Sequence, residues 1–501
     1  MAGAAAWTPP IGIPEPEFGI HDSHERYAGE PGYRDSGHGP YTIYVDNTAP
    51  ACSDSGPATA EEPRCSLPDS LPDPGAVVEV HGGPYVLTEA KPVLTSNGSR
   101  ERPIFIRGVD DGNGFPEIRD ASTFGFDGSY VVVENLVFVG TSVRTGGPGR
   151  ESTGGHHIAL RNLEIRNQPD KNGSGLGGEH IVFYRNHVHH NTGDDRHGTT
   201  VARGSSDVWI VDNYYHHNGG DAVQFCHRCR KDPPRRVFVG RNLMHSDREN
   251  AVDLKFGKYI VISENTMHGY RRARPDTEWC FDDNSYCGTF SSGSDGSAIV
   301  VGSDGAPKHP WILYNRIYDS EQGIRIEEVR DAWIIGNTIH DIDNRALSLQ
   351  KDGDPLYILD NVIYDVTTGI DQYWRDKFGI HVHGNVFANV SQRAISINGR
   401  VASRSTIGMN QFWNDEGDIR VHWGRGRNGR SKPGSFDVSE RDDNLVGDPA
   451  IRVADDGSLT LHREPQVAEH AARMIAEQEA AFREDFGDGA SLRRPAIVGG
   501  R

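Results

Sequence analysis

No stretch of this chain comes near the eighteen or so consecutive apolar residues of a membrane-spanning helix, so no membrane span is expected. Positive charge is in deficit: 52 Lys and Arg stand against 71 Asp and Glu, for a formal charge of −19. That balance excludes a general binder of nucleic acid or anionic membrane. The opening "MAGAAAWTPP" is too short and polar for a signal peptide, and a mature form with an added Met is expected. Cysteine is sparse, six in 501 residues. What is plentiful is turn chemistry, with 59 Gly and 28 Pro. Disorder and a collagen period are both excluded by the apolar content and the spacing.

The cysteines fall into three close pairs, Cys52/Cys65, Cys226/Cys229 and Cys280/Cys287. Local even pairing predicts disulfides and a secreted or periplasmic location. Zinc at Cys226 and Cys229 would need two further ligands, available only if the loop of Cys280 and Cys287 met them.

An asparagine followed by a short apolar run keeps returning: "VENLVF" (Asn135), "LRNLEI" (Asn162), "YRNHVH" (Asn186), "VDNYYH" (Asn213), "GRNLMH" (Asn242) and "SENTMH" (Asn265). Asn315, Asn337, Asn361 and Asn385 continue it. Successive gaps run from 22 to 29 residues, apart from one of 50. A period in the twenties means a solenoid. Short alternating strands without helical periodicity between them predict a parallel β-helix of three-strand coils. Asn162 to Asn385 are expected to form an internal ladder. The expected organisation is an N-terminal extension over 1–40, the β-helix over 41–465, and a C-terminal helix and tail over 466–501. That helix is expected to cap the last open coil, because an uncovered coil is an aggregation edge.

The lead-in segment, the Asn-marked coils and the closing "LVGDPAIRVADDGSLTL" resemble secreted right-handed parallel β-helix proteins of the pectate-lyase-like, carbohydrate-active kind. The resemblance spans about residues 41–500 and speaks to fold more than to chemistry, because many activities share that scaffold.

Equivalent positions on successive coils lie about 4.8 Å apart. Val252 aligns with Val223, Ile299, Ile324, Leu347 and Ile395, and Leu254 with Phe225, Val301, Ile326, Leu349 and Ile397, giving two core columns. The outward column between them reads Gln224, Asp253, Val300, Arg325, Ser348. The next brings Lys255 near Glu327, with Arg203 two coils earlier. A solvated sheet face would also carry mixed charge. Acids recur at one corner: Asp194, Asp195, Asp221, Asp247, Glu249 and Asp295. They are read either as Asp-Gly turn chemistry or, for Asp194, Asp195, Asp221 and Asp253, as a calcium site. Two loops carry basic clusters, among them Arg230, Arg271 and Arg272, which suit an anionic ligand. Trp279 and Tyr270 could stack on sugar rings. His189, His216, His245, His268 and His340 follow the repeat asparagines by three residues and read as a structural ladder. His197 stands off it as a catalytic candidate.

β-Elimination from a uronic-acid polysaccharide needs carboxylate neutralisation, a base and a proton for the leaving oxygen. Lys255 is the candidate base. Arg325 or Arg203 would sit on the substrate carboxylate and depress the lysine's proton affinity. Asp253 would hold Lys255 or ligate a cation. Gln224 and Glu327 would line the groove. The set resembles polysaccharide lyases that use a lysine on a β-helix face beside an acidic calcium site. "Asn250-Ala251-Val252" is similar to the lead-in to such a lysine, although here Asp253 follows it and Lys255 comes two later. The expected function is therefore a polysaccharide lyase, monomeric, acting on an acidic polysaccharide. An inverting glycoside hydrolase using Asp221, Asp253 and Glu327, a uronate C5-epimerase and a non-catalytic carbohydrate-binding β-helix are the rival readings.

Overall fold

The computed structural model describes residues 7–146, 155–372, 378–398, 401, 404–415, 417–425, 443–454 and 459–492. The chain forms two compact units. The N-terminal unit comprises Pro16–Arg248 and Arg274–Ser292; the C-terminal unit comprises Met1–Glu15, Glu249–Ala273 and Gly293–Arg501. Each is a parallel β-helix whose coils carry three sheet faces, here called A, B and C in chain order within a coil. The coil from Ser297 to Tyr318 shows the pattern. Ser297–Val301 lies on face A, Lys308–Leu313 on face B, and the strand beginning at Arg316 on face C.

The turn from B to C is where the asparagines work. The residue before each ladder asparagine is left-handed: Arg185, Asp212, Glu264, Tyr314, Gly336, Asp360 and Gly384 all have φ between 50° and 67°. This bend swings the next side chain inward. Asn337 Oδ1 accepts from the backbone N–H and the side-chain amide of Asn315, both at 2.9 Å. Its own amide donates to Asn361 Oδ1 at 3.0 Å and to the Ile312 carbonyl at 2.9 Å. The ladder joins Asn186, Asn213 and Asn242 in the N-terminal unit. In the C-terminal unit it runs from Asn265 through Asn385 and on to Asn410 and Asn444. Asn162 is not a rung, contrary to expectation. It is exposed and itself left-handed, with φ 53°, and Leu163 takes the inward place. Asn135 and Leu136 do the same. Asparagine suits the left-handed corner, and a following leucine prefers the core.

Core columns on face A have the expected register. Val252, Ile299, Ile324 and Leu347 pair in sequence, as do Leu254, Val301, Ile326 and Leu349. A coil missing from the sequence alignment inserts Ile370 and Gln372 before Ile395 and Ile397. Gln372 is a buried polar residue in an otherwise apolar column.

The C-terminal helix, Pro465–Phe486, lies on face B instead of capping the last coil. Trp311 and Trp333 stack there at 3.7 Å, and Phe482 meets Trp311 edge-on. Asp485 accepts from Trp311 Nε1, and Gln478 from Trp333 Nε1. Gly384 permits the close approach, since a Cβ there would sit 2.5 Å from Ala471 Cβ. The extension over 16–40 is also packed down: Arg161 donates to the carbonyls of Gly19, Ile20 and Asp22. All three predicted disulfides are formed. No described helix is long and apolar enough to cross a membrane.

Candidate functional site

Asp253 and Lys255 do share the outward side of face A, as alternation requires. Lys255 Nζ donates to Asp253 Oδ2 at 2.5 Å and to Ser303 Oγ at 3.5 Å. Ser303 Oγ donates in turn to Asp253 Oδ1 at 3.1 Å. Asp253 is buried, while the lysine side chain keeps 16 % of its surface open. The ammonium therefore sits on a carboxylate, while the Arg325 guanidinium that the sequence reading set beside it pairs with Asp295 and Glu327.

Along the same column, Asp253, Val300, Arg325 and Ser348 stand in register, followed by Asp371 and Ser396. Two coil steps place Arg325 roughly 9–10 Å from Asp253 along the coil stack. Arg325 donates to Asp295 Oδ2 at 2.6 Å and lies 3.5 Å from Glu327. Glu327, expected near Lys255, is buried and takes its hydrogen bond from Lys351 at 2.6 Å. Arg345 donates to Asp371 at 2.8 Å. Face A of the C-terminal unit is thus a row of paired cations and carboxylates.

The other expected residues are distributed as follows. Arg271 pairs with Asp319, and Arg272 is exposed on a two-residue strand against Asp295. Tyr270 is fully buried and offers no ring to a sugar, which corrects that expectation. Tyr270 and Ala273, at the start of the insertion, are buried, while Arg272 between them is exposed.

Arg203, Arg230, Trp279, Gln224, His197, Asp194, Asp195 and Asp221 belong to the N-terminal unit. Arg203 is half-buried and Arg230 exposed. Trp279 is partly covered on the hairpin Thr277–Cys280 and Cys287–Phe290, its indole N–H buried without an acceptor. Asp221 is fully buried beside His197 Nδ1 at 3.2 Å and accepts from Gln224 Nε2 at 3.1 Å. Its backbone N–H donates to the same His197 nitrogen. Asp194 accepts from Ser291 N and Oγ at 3.0 and 2.5 Å. Asp195 is exposed, 3.6 Å from His197 Nε2. Calcium takes six to eight oxygen ligands. Here the Ser291 donors take only Oδ2 of Asp194, whose Oδ1 is buried without a hydrogen-bond partner, Asp221 Oδ2 accepts from Gln224, and Asp253, in the C-terminal unit, accepts from Lys255 and Ser303. Another corner acid, Asp247, accepts from Asn218 at 3.0 and 2.7 Å and ends a second interior ladder begun by Asn191.

The histidine column pairs in register, His189 with His216 and His216 with His245. In the C-terminal unit, His268, Tyr318, His340 and Tyr364 stack at 4.7 to 5.1 Å. A cavity of about 920 Å³ opens between the helix and the coils, lined by Leu459, Leu461, Ala472, Ile475, Arg316 and others, and contains none of the face A charges.

A family model described as "Right handed beta helix region" matches residues 281–429. Sheet topology and family model together define a right-handed parallel β-helix protein. No curated protein matches by sequence. Among solved structures, the chain is similar to a mannuronic acid specific polysaccharide family 6 lyase from human gut microbiota. Identity is 15 %, with 69 % of this chain and 82 % of that one covered, at TM-score 0.48. It is also similar to a GH136 lacto-N-biosidase from Eubacterium ramulus, at 14 % identity, covering 76 % and 68 %, TM-score 0.41. A third is the A-module of the mannuronan C-5 epimerase AlgE6 from Azotobacter vinelandii, at 12 % identity, covering 74 % and 90 %, TM-score 0.43.

Proposed function

We propose that this chain is a secreted carbohydrate-active enzyme that cleaves a uronic-acid polysaccharide by β-elimination on face A of the C-terminal unit. The observation that carries the reading is the Lys255 ammonium, partly open, held by a buried carboxylate in the column that also presents Arg325.

The chemistry follows from desolvation. A polymer lying on the face would exclude water from the Asp253–Lys255 pair. Two unsolvated charges are costly, and a proton passing from Nζ to Oδ2 removes both. The amine then has a lone pair for the C5 proton of a uronate. Electrons of the C5–H bond form the C4–C5 double bond as the C4–O bond breaks. The leaving oxygen takes its proton back from the Lys255 ammonium. Arg325 would exchange its partly exposed partner Asp295 for the substrate carboxylate, like for like, and make the C5 proton acidic. No step runs through calcium.

Hydrolysis is supported less well. An inverting hydrolase needs two carboxyl groups open to the glycosidic oxygen and to a water, whereas Asp221, Asp253 and Glu327 are all buried, and Asp253 and Glu327 each take a hydrogen bond from a lysine. The test is incubation with a panel of acidic polysaccharides. Growth of the ultraviolet absorbance of an unsaturated uronate is expected. New reducing ends without that absorbance would establish a hydrolase and overturn elimination. A changed uronate configuration without cleavage would indicate an epimerase, and binding without either change a carbohydrate-binding protein.

A further inference from the structure

The N-terminal unit carries a second concentration of chemistry, on face C, that elimination does not use. His187–His189 and Tyr214–His216 are successive parallel strands there. Val188 and Tyr215 point into the core, so His187, His189 and His216 all point out. They do more than stack. His187 Nε2 and His216 Nε2 face each other at 2.8 Å, and His189 Nε2 is 3.3 Å from Glu164 Oε1. One nitrogen from each of the three imidazoles falls within 4.8 Å of the others.

A further row orients them. His190 and His217 follow in left-handed conformation, φ 54° and 55°, which turns their rings back along the face. Their Nδ1 atoms lie 2.6 Å from Nδ1 of His189 and His216. Their Nε2 atoms are held from outside, His190 by Asp283 at 2.9 Å and His217 by Asp282 at 2.5 Å. Both acids sit on the hairpin closed by Cys280–Cys287. The proton logic runs inward from these carboxylates. An Nε2–H on His217 donates to Asp282, leaving Nδ1 of His217 as acceptor. His216 must then carry its proton on Nδ1, so its Nε2 lone pair points at His187. The same reasoning through Asp283 and His190 leaves Nε2 of His189 without a proton and turned to Glu164 Oε1 at 3.3 Å, an acceptor facing an acceptor, which a bound cation would hold together. Carboxylate–histidine pairs behind ligand imidazoles are the usual way a metal site fixes its tautomers.

We propose that His187, His189 and His216 form a binding site for a late first-row divalent cation of the zinc or copper class. Imidazole donors suit that class, and three of them leave a fourth position for water or another ligand. Glu164 stands beside the triad as a carboxylate neighbour. A simple stacked ladder needs neither facing nitrogens nor a hairpin of acids behind them. Two nitrogens on one tetrahedral zinc stand about 3.3 Å apart, so the 2.8 Å pair needs to open by about half an ångström to admit the ion.

The test uses the full chain, stripped with a chelator, dialysed, and titrated with Zn²⁺ by calorimetry, with Cu²⁺ followed by electron paramagnetic resonance. One equivalent of Zn²⁺ bound with sub-micromolar Kd, a higher Tm with the ion, and nitrogen couplings on Cu²⁺ are expected. His187→Asn and His216→Asn, checked for native circular dichroism, should abolish stoichiometric binding. Asp282→Asn should weaken it roughly 10–100-fold, as loss of an orienting carboxylate does. Absence of Zn²⁺ binding by the intact chain, or binding unchanged in His187→Asn/His216→Asn, overturns the proposal.

Discussion

Lys255→Arg separates chemistry from packing. Arginine keeps a cation against Asp253 and Ser303 and so preserves the pair seen at 2.5 Å. It cannot act as a base, because the guanidinium stays protonated. Turnover should fall by the ~10² to 10⁴ that losing a general base costs, about 2.7 kcal/mol or more in the barrier, with Tm nearly unchanged. Lys255→Ala should lose as much turnover and also some stability. Asp253 would keep Ser303 but lose its cation in a buried position, at a cost of about 1–3 kcal/mol. Asp253→Asn in the alanine background should recover that stability without recovering rate. The assay is initial rate on a substrate confirmed by unsaturated product, beside thermal unfolding. Near-normal turnover by Lys255→Arg would refute the lysine's role and reduce the pair to surface charge.

Other consequences can be measured independently. Arg325→Gln should lower kcat/KM for a uronate polymer, raising KM by removing the partner of the substrate carboxylate and lowering kcat because that partner acidifies the C5 proton; unchanged kcat/KM would remove Arg325 from the site. Asn337→Leu leaves the Asn315 N–H without its acceptor and removes the bond to Ile312, so unfolding should shift by about 2–5 kcal/mol in a denaturant titration. The hydrogen bond that His309 donates to the Asp485 carboxylate raises its pKa above the ordinary value, against burial, which lowers it. A raised folded pKa stabilises below the unfolded value, near 6.5, and that contribution is lost as pH rises through the folded pKa. The Tm should therefore fall as pH increases above about 6.5, and this part of the slope should disappear in Asp485→Asn.

The coils were legible because their information is local and repeated. A left-handed corner, an inward amide and an alternating strand occur within a few residues, and each period restates them. Ambiguity entered where two residues compete for one corner. In "LRNLEI" and "GRNLMH" the same Asn-Leu pair appears, yet Asn162 takes the bend while Asn242 takes the ladder. At the Asn162 level a backbone group meets the ladder instead: the Leu163 N–H donates to Asn186 Oδ1, and the amide ladder continues from Asn186 to Asn213, so the local phrase does not distinguish the two asparagines. The coil of Ile370 and Gln372 was passed over because a glutamine breaks the apolar alternation that marks a core column.

The site was legible only as far as alternation reaches. Asp253 and Lys255 lie two residues apart, so their common face follows from strand geometry alone. Ser303 completes their triangle from 48 residues beyond Lys255, across the irregular gap where counting coils fails. Tyr270 went wrong for the related reason that an insertion's composition does not say where its ends re-enter the core. Asp282 and Asp283 are the strongest case. Nothing in "CFDDNSYC" announces that these acids fold back onto His217 and His190, more than sixty residues earlier. Burial would raise the Asp282 carboxyl, yet hydrogen bonds from His217 and Ser246 hold it below its ordinary value. A disulfide-closed hairpin presenting two ionised acids to two histidines is a tertiary device. The face A pair belongs to one strand, so a reader of sequence could find it, whereas the histidine cluster is assembled by a loop from elsewhere and needed the fold.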